Sequence, residues 1–170
     1  MLAPAVRKWL EQVHVPYTAL AHRPAFTAQE EAAVMHVSGR GWAKTVVCFA
    51  DEEAILAVLP APLTINLGKL RGLVGARRLR LATEQEMARL YPDCEVGATP
   101  PLGPLYSQRV FVDRRLAQEP EIVFHAGTHT DAVRIRFTAF VAVANPVIGE
   151  FGDAPKSDAS TARDGRSLWN

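Results

Sequence analysis

The sequence predicts an α+β domain, a mixed and mainly antiparallel sheet flanked by helices. Three observations predict it. The apolar runs are of strand length, as in "KTVVCFA" (44–50) and "AILAVLP" (54–60), with the acidic "DEE" (51–53) between them as a hairpin connection. Two Thr-x-x-Glu spacings, Thr27/Glu30 and Thr83/Glu86, open helices between strands. Finally, 170 residues at 48% hydrophobic and 22% charged suffice for one domain with a sizeable core.

The elements follow in order. Residues 3–14 read as an amphipathic helix, with Pro4 suited to its first turn and Val6, Leu10 and Val13 near helical spacing. "YTALA" (17–21) is a short strand, and a helix from Thr27 reaches about Met35. "SGRG" (38–41) breaks the chain before the hairpin. "TINLGKLRGLVG" is a short helix entered from Thr64 and ended by glycine, and "RRLRLA" is a strand. The second capping box starts a helix through Leu90. Residues 91–105 carry four prolines and two glycines and are expected to be irregular. "QRVFVD", "EIVFHA" and "AVRIRF" are three further strands, and Thr138 caps a last short helix, "AFVAVA". Beyond Asn145 the apolar periodicity fades. The domain is therefore expected to span 1–150, with 151–170 a flexible tail.

Composition narrows the function. No apolar run approaches a membrane span, and the charged N-terminus does not suit a signal peptide, so no membrane association and a cytoplasmic location are expected. Cys48 and Cys94 are far apart and read as reduced thiols. A formal net charge of +1 argues against wrapping a long nucleic acid but allows a local basic patch. Residues 66–82 hold Lys69, Arg71, Arg77, Arg78 and Arg80 and no acid; they read either as a solvated face or as a phosphate-contacting surface.

Two features invite chemistry. Lys44 stands at the head of a buried strand, where a lysine either snorkels to solvent or serves an anion. The 91–105 loop is stiffened by Pro100, Pro101 and Pro104, while Gly97 and Gly103 permit close approach; it is either a connector or a grip for an oxyanion or carboxyl ester. Cys94 is a conceivable nucleophile but has no neighbouring His in sequence. His125 and His129 lack a ligand cluster, so no metal is expected. His22 reads either as a pocket residue or as a surface loop histidine, and no G-x-S-x-G elbow occurs.

"WAKTVVCF" (42–49), "EVGATPPLG" (95–103) and "VFHAGTHTDAVRI" (123–135), in this order and at these separations, resemble the YbaK/ProX family. The likeness runs from about His14 to Val143. That family comprises editing domains that hydrolyse mischarged aminoacyl-tRNA, free-standing or inserted in bacterial prolyl-tRNA synthetases. The resemblance implies that Lys44 is its functional lysine. It implies that Gly97, Ala98, Thr99, Pro100 and Pro101 are its G-x-x-x-P loop, and that His125, Ala126 and Gly127 are a substrate-pocket segment.

The expected activity is therefore deacylation in trans of tRNA carrying a small uncharged amino acid. Lys44 and Gly97 carry the chemistry. His22, Ala98 to Pro101 and His125 to Gly127 line the site, and no cofactor is required. The partner is the acceptor end of tRNA with its aminoacyl ester, with a synthetase as a further possible partner. The alternative is a non-catalytic module of the same fold that holds a nucleotide, an aminoacyl group or a synthetase.

Overall fold

The computed structural model describes residues 2–21 and 39–155, and opens with helix α1 (Pro4–Val13). Pro4 occupies the first turn, Val6 and Leu10 are buried, and His14 ends the helix in a left-handed conformation (φ 55°). β1 (Thr18–Ala21) follows. His22 and the helix expected from Thr27 to Met35 lie outside the described residues.

β2 (Ala43–Ala50) and β3 (Glu53–Pro60) form the expected hairpin, paired from Ala43↔Pro60 to Ala50↔Glu53. The next segment departs from expectation. Thr64 does not cap a helix; Thr64–Ile65 is a two-residue strand, β4, and Asn66 caps α2 (Leu67–Val74) by accepting from the Lys69 N–H at 3.0 Å. A partner distant in sequence takes Thr64 out of the cap: the Asn66 N–H bonds the Phe151 carbonyl at 2.7 Å.

β5 (Leu79–Leu81) leads to α3 (Glu84–Leu90), whose capping box is complete, with Thr83 and Glu86 bonded reciprocally. Residues 91–102 are irregular, but Gly103–Tyr106 closes the loop with a single 3₁₀ turn. β6 (Arg109–Asp113), β7 (Glu121–His125) and β8 (Asp131–Arg136) match the three expected strands. α4 (Phe137–Ala144) begins one residue before Thr138, with Arg136 at its N-cap and no side-chain capping bond. Two short strands then appear where periodicity had faded: β9 (Val147–Gly149) and β10 (Gly152–Asp153).

The strands order as β5-β2-β3-β6-β9 and β1-β8-β7, with β10 beside β4. β6 runs parallel to β3 and to β9, and the other named pairs are antiparallel, so the sheet is mixed and mainly antiparallel. A parallel bridge between Trp42 and Val123, with the Val123 N–H on the Gly41 carbonyl at 2.9 Å, ties the larger sheet to the three-stranded one.

The sheet separates two apolar layers. Ala43 and Val47 pack with α1, α4 and the buried side chains of β7 and β8. On the opposite face Cys48 and Ala50 pack with Leu70 of α2, Phe111 and Phe151. The boundary expected at residue 150 is thus too early. Phe151 is fully buried, which stabilises by roughly 1.5–3 kcal/mol, and β10 is paired. Residues 156–170 lie outside the described part. Among the described residues no helix is long and apolar enough to cross a membrane.

Candidate active site

Two segments far apart in sequence are stitched together by their backbones. The Glu95 N–H bonds the Gly127 carbonyl at 2.8 Å, and the Gly127 N–H returns to the Ala98 carbonyl at 2.9 Å. The glycine-proline loop and the "HAG" segment therefore form one wall. Gly127 has φ 96°, and a Cβ there would stand 2.5 Å from that of Ala3, so only glycine fits behind the wall.

Gly97 sits at the crest of the loop with φ 88°, a left-handed conformation that penalises a side chain. Its neighbour amides divide into two kinds. The Ala98 N–H is committed to the Glu95 carbonyl at 3.0 Å. The N–H groups of Gly97 and Thr99 have no acceptor among the described residues. Two amide donors flanking one committed amide, beside an exposed glycine, can receive an anionic or strongly polarised oxygen.

His129 holds this crest. Its ring Nε2 lies 2.8 Å from the Val96 carbonyl, and its backbone N–H bonds the Glu95 carboxylate at 3.0 Å. Nε2 must carry the proton to donate to that carbonyl. Sequence reasoning considered His129 only as a metal ligand, and its spacing from Val96 offered no signal of this contact. His129 also meets the edge of the His125 ring at 5.5 Å between centroids, and Trp42 meets that ring from another side at 5.6 Å. Among the described residues no group of three His, Cys, Asp or Glu is arranged to hold a metal ion.

Lys44 stands two residues beyond Trp42, as His125 stands two beyond Val123. Because strand side chains alternate, the Trp42–Val123 bridge sets Lys44 and His125 on the same side. Lys44 is half-buried, and burial pushes its pKa below the ordinary lysine value. No carboxylate among the described residues pairs with it. A cation kept partly dry, with no carboxylate beside it there, is poised for an anion from outside the chain.

Exposure sorts the other expected residues. Gly97 is exposed and His125 partly so, whereas Ala98, Thr99, Pro100, Pro101, Ala126 and Gly127 are buried. Those six back the wall and hold its shape in this structure. Cys94 also lies behind it, with Sγ 3.4 Å from the Tyr106 hydroxyl. Burial pushes its thiol pKa up, which disfavours the thiolate a nucleophile needs.

The likeness to known proteins covers this site. Residues 22–142, more than half of the chain, match the family described as aminoacyl-tRNA editing domain. A proline–tRNA ligase of Nitratidesulfovibrio vulgaris (strain DP4) is 35% identical over 101 residues, which is 58% of this chain and 17% of that protein. The ligase of the Hildenborough strain is 34% identical over the same length. The chain thus spans about a sixth of the curated relatives it matches.

Among solved structures, a candidate trans-editing enzyme for prolyl-tRNA synthetase superposes with a TM-score of 0.76 at 25% identity, covering 90% of this chain and 99% of the other. The hypothetical protein APE2540 superposes at 0.78 with 22% identity, covering 88% and 99%, a likeness of fold. The segments that carry Lys44, the Gly97 loop and His125 all fall inside the matched span, and the chain belongs to the aminoacyl-tRNA editing domain family, of the YbaK/ProX type.

Proposed function

We propose that this chain is an aminoacyl-tRNA deacylase that acts in trans in the cytoplasm, removing a small uncharged amino acid from mischarged tRNA by attack of water on the ester. The observation that carries the reading is the pair of amides at Gly97 and Thr99 without an acceptor among the described residues, on a loop pinned at Glu95, Val96 and Ala98. Those amides polarise the ester carbonyl and stabilise the oxyanion that forms when water adds. Lys44 meets a phosphate or polar group of the terminal adenosine. His125 orients substrate or water. The family resemblance implies that the terminal ribose hydroxyl, or the substrate itself, assists the proton transfer. Ester hydrolysis by water balances without a cofactor.

Substrate choice follows from what stands behind the loop. Ala98, Ala126 and Gly127 back the wall with small, uncharged residues, which keeps charge out of its packing and suits a small uncharged aminoacyl group. A charged aminoacyl group packed against that wall would lose its hydration without a charge there to pair with. The likeness to part of proline–tRNA ligases supports prolyl-tRNA as the first RNA to test and the synthetase as a candidate partner.

The test is a panel of tRNAs charged with Ala, Ser, Cys, Lys or Glu, with ester loss compared with the spontaneous rate. Small esters should be cleared well above background and charged ones spared. Lys44→Met should lose at least a hundredfold in rate without losing stability. The sign follows from its depressed pKa: the protonated form is disfavoured in the folded chain, so the cost is present at neutral pH and fades as pH rises through the folded-state pKa toward 10.5. Binding without turnover would favour the non-catalytic alternative, and clearance of only the charged esters would overturn the substrate choice.

A further inference from the structure

The basic stretch 66–82 does not behave as one surface. Lys69 is paired with Asp153 at 2.9 Å. Arg80 makes two bonds to Glu86, at 2.7 and 2.8 Å, and lies 4.6 Å over the Phe49 ring. Arg71, Arg77 and Arg78 are exposed, and no ion pair engages them among the described residues. These three line a concavity of about 410 Å³ with Leu67, Gly68 and Leu79, and no carboxylate is in that lining.

The backbone beneath is held firmly. Gly75, at φ 77°, lets the chain leave α2 and turn back toward β5. Asp51 then accepts from the N–H groups of Arg77 and Arg78 at 3.2 and 3.0 Å. That carboxylate neutralises backbone donors, not the guanidinium groups. The arrangement concentrates three delocalised, always-charged forks in one groove of a chain whose net charge is only +1.

We infer that the groove between α2 and β5 docks the phosphate backbone of the RNA whose 3′ ester enters at Lys44 and Gly97. This rests on the deacylase reading, and position links the two sites. Leu79 stands opposite Ala50 at the far end of β2, six residues from Lys44, or about 20 Å along the strand. α2 packs on the β2 face formed by Val46, Cys48 and Ala50, the side to which alternation also assigns Lys44. At about 3.4 Å per stacked nucleotide, that distance reaches phosphates about six nucleotides from the esterified end. Arginine forks bind phosphate oxygens bidentately without reading sequence, which suits a contact that sets register and orientation.

The test is the triple variant Arg71→Gln/Arg77→Gln/Arg78→Gln. An uncharged RNA hairpin with an acceptor-stem end serves as the binding probe across a salt series. The slope of log K against log[salt] should flatten by about 2–3, at about 0.7–0.9 for each phosphate no longer neutralised. Lys69→Gln, whose charge is already paired, should shift it by less than half a unit. With aminoacylated hairpin and aminoacyl-adenosine as parallel substrates, the triple variant's loss in kcat/KM should be at least tenfold greater on the hairpin.

An unchanged salt slope would overturn the groove, whether or not it captured an acidic protein instead. Equal losses on both esters would also overturn it. Arginine-dependent RNA binding by a wild-type protein that hydrolyses neither ester would sustain the groove and sink the deacylase reading.

Discussion

The loop at 91–102 and the clasp at 150–153 are both irregular in sequence, yet they use their polar groups in opposite ways. In the clasp both carboxylates and the Phe151 and Gly152 amides are engaged. Asp113, fully buried, accepts from the N–H groups of Arg115, Phe151 and Gly152 at 3.0, 3.1 and 2.7 Å. Arg115 donates to the Gly152 carbonyl at 2.6 Å, and Asp153 takes both Asn66 and Lys69. The loop is pinned just as firmly at Glu95, Val96 and Ala98, yet it leaves the Gly97 and Thr99 amides without an acceptor among the described residues. A rigid segment with satisfied donors supports the fold. A rigid segment with donors left over can accept a ligand oxygen.

The largest expected effect falls on the loop. Gly97→Val should reduce kcat at least a hundredfold, because a β-branched residue at φ 88° moves the flanking amides and would crowd His129, whose Cε1 lies 3.4 Å from the new Cβ. Stability should fall by only about 1–2 kcal/mol. Normal turnover by this variant would remove the distinction between the loop and the clasp.

Asp113→Ala should show the reverse pattern. Losing the carboxylate strands buried N–H groups and should cost about 3 kcal/mol of stability, measured by denaturant unfolding. Rates per folded molecule should stay within a factor of about two, since the clasp touches none of the reacting groups. A variant as stable as the parent would mean that the clasp is not held by Asp113.

The smallest effect concerns the end of the chain. Deleting residues 156–170 should leave both melting temperature and turnover unchanged, whereas deletion from residue 151 should lower the melting temperature through the loss of Phe151 and β10. Equal outcomes for the two truncations would show that Phe151 and β10 add nothing to the stability of the domain.

What could be read from sequence follows the range of the interaction. The Thr83/Glu86 capping box and the β2–β3 hairpin are local, because each partner lies within a few residues of the other or is reached through one turn. The loop was legible as special because prolines and glycines restrict or free the backbone wherever they occur. Thr64 misled because both Thr and Asn can cap a helix, and the choice of Asn66 was reinforced by β10, whose Asp153 accepts from Asn66 at 2.8 Å. β9 was missed for a related reason: its Val147 and Ile148 are half-exposed on an edge strand and leave no alternating pattern.

Residue type and short spacing were thus enough for the α+β class and for the longer strands of the sheet, and the three motifs together for the family resemblance. They could not say which groups remain available for chemistry; folding settled that. Whether an amide is committed depends on a partner elsewhere in the chain, as Ala98 and Gly127 show. Whether an arginine is neutralised depends on which carboxylate folding brings beside it, and that separates Arg80 from Arg71, Arg77 and Arg78. Hydrogen bonds and ion pairs act over about 3 Å, and sequence distance says little about which groups come that close.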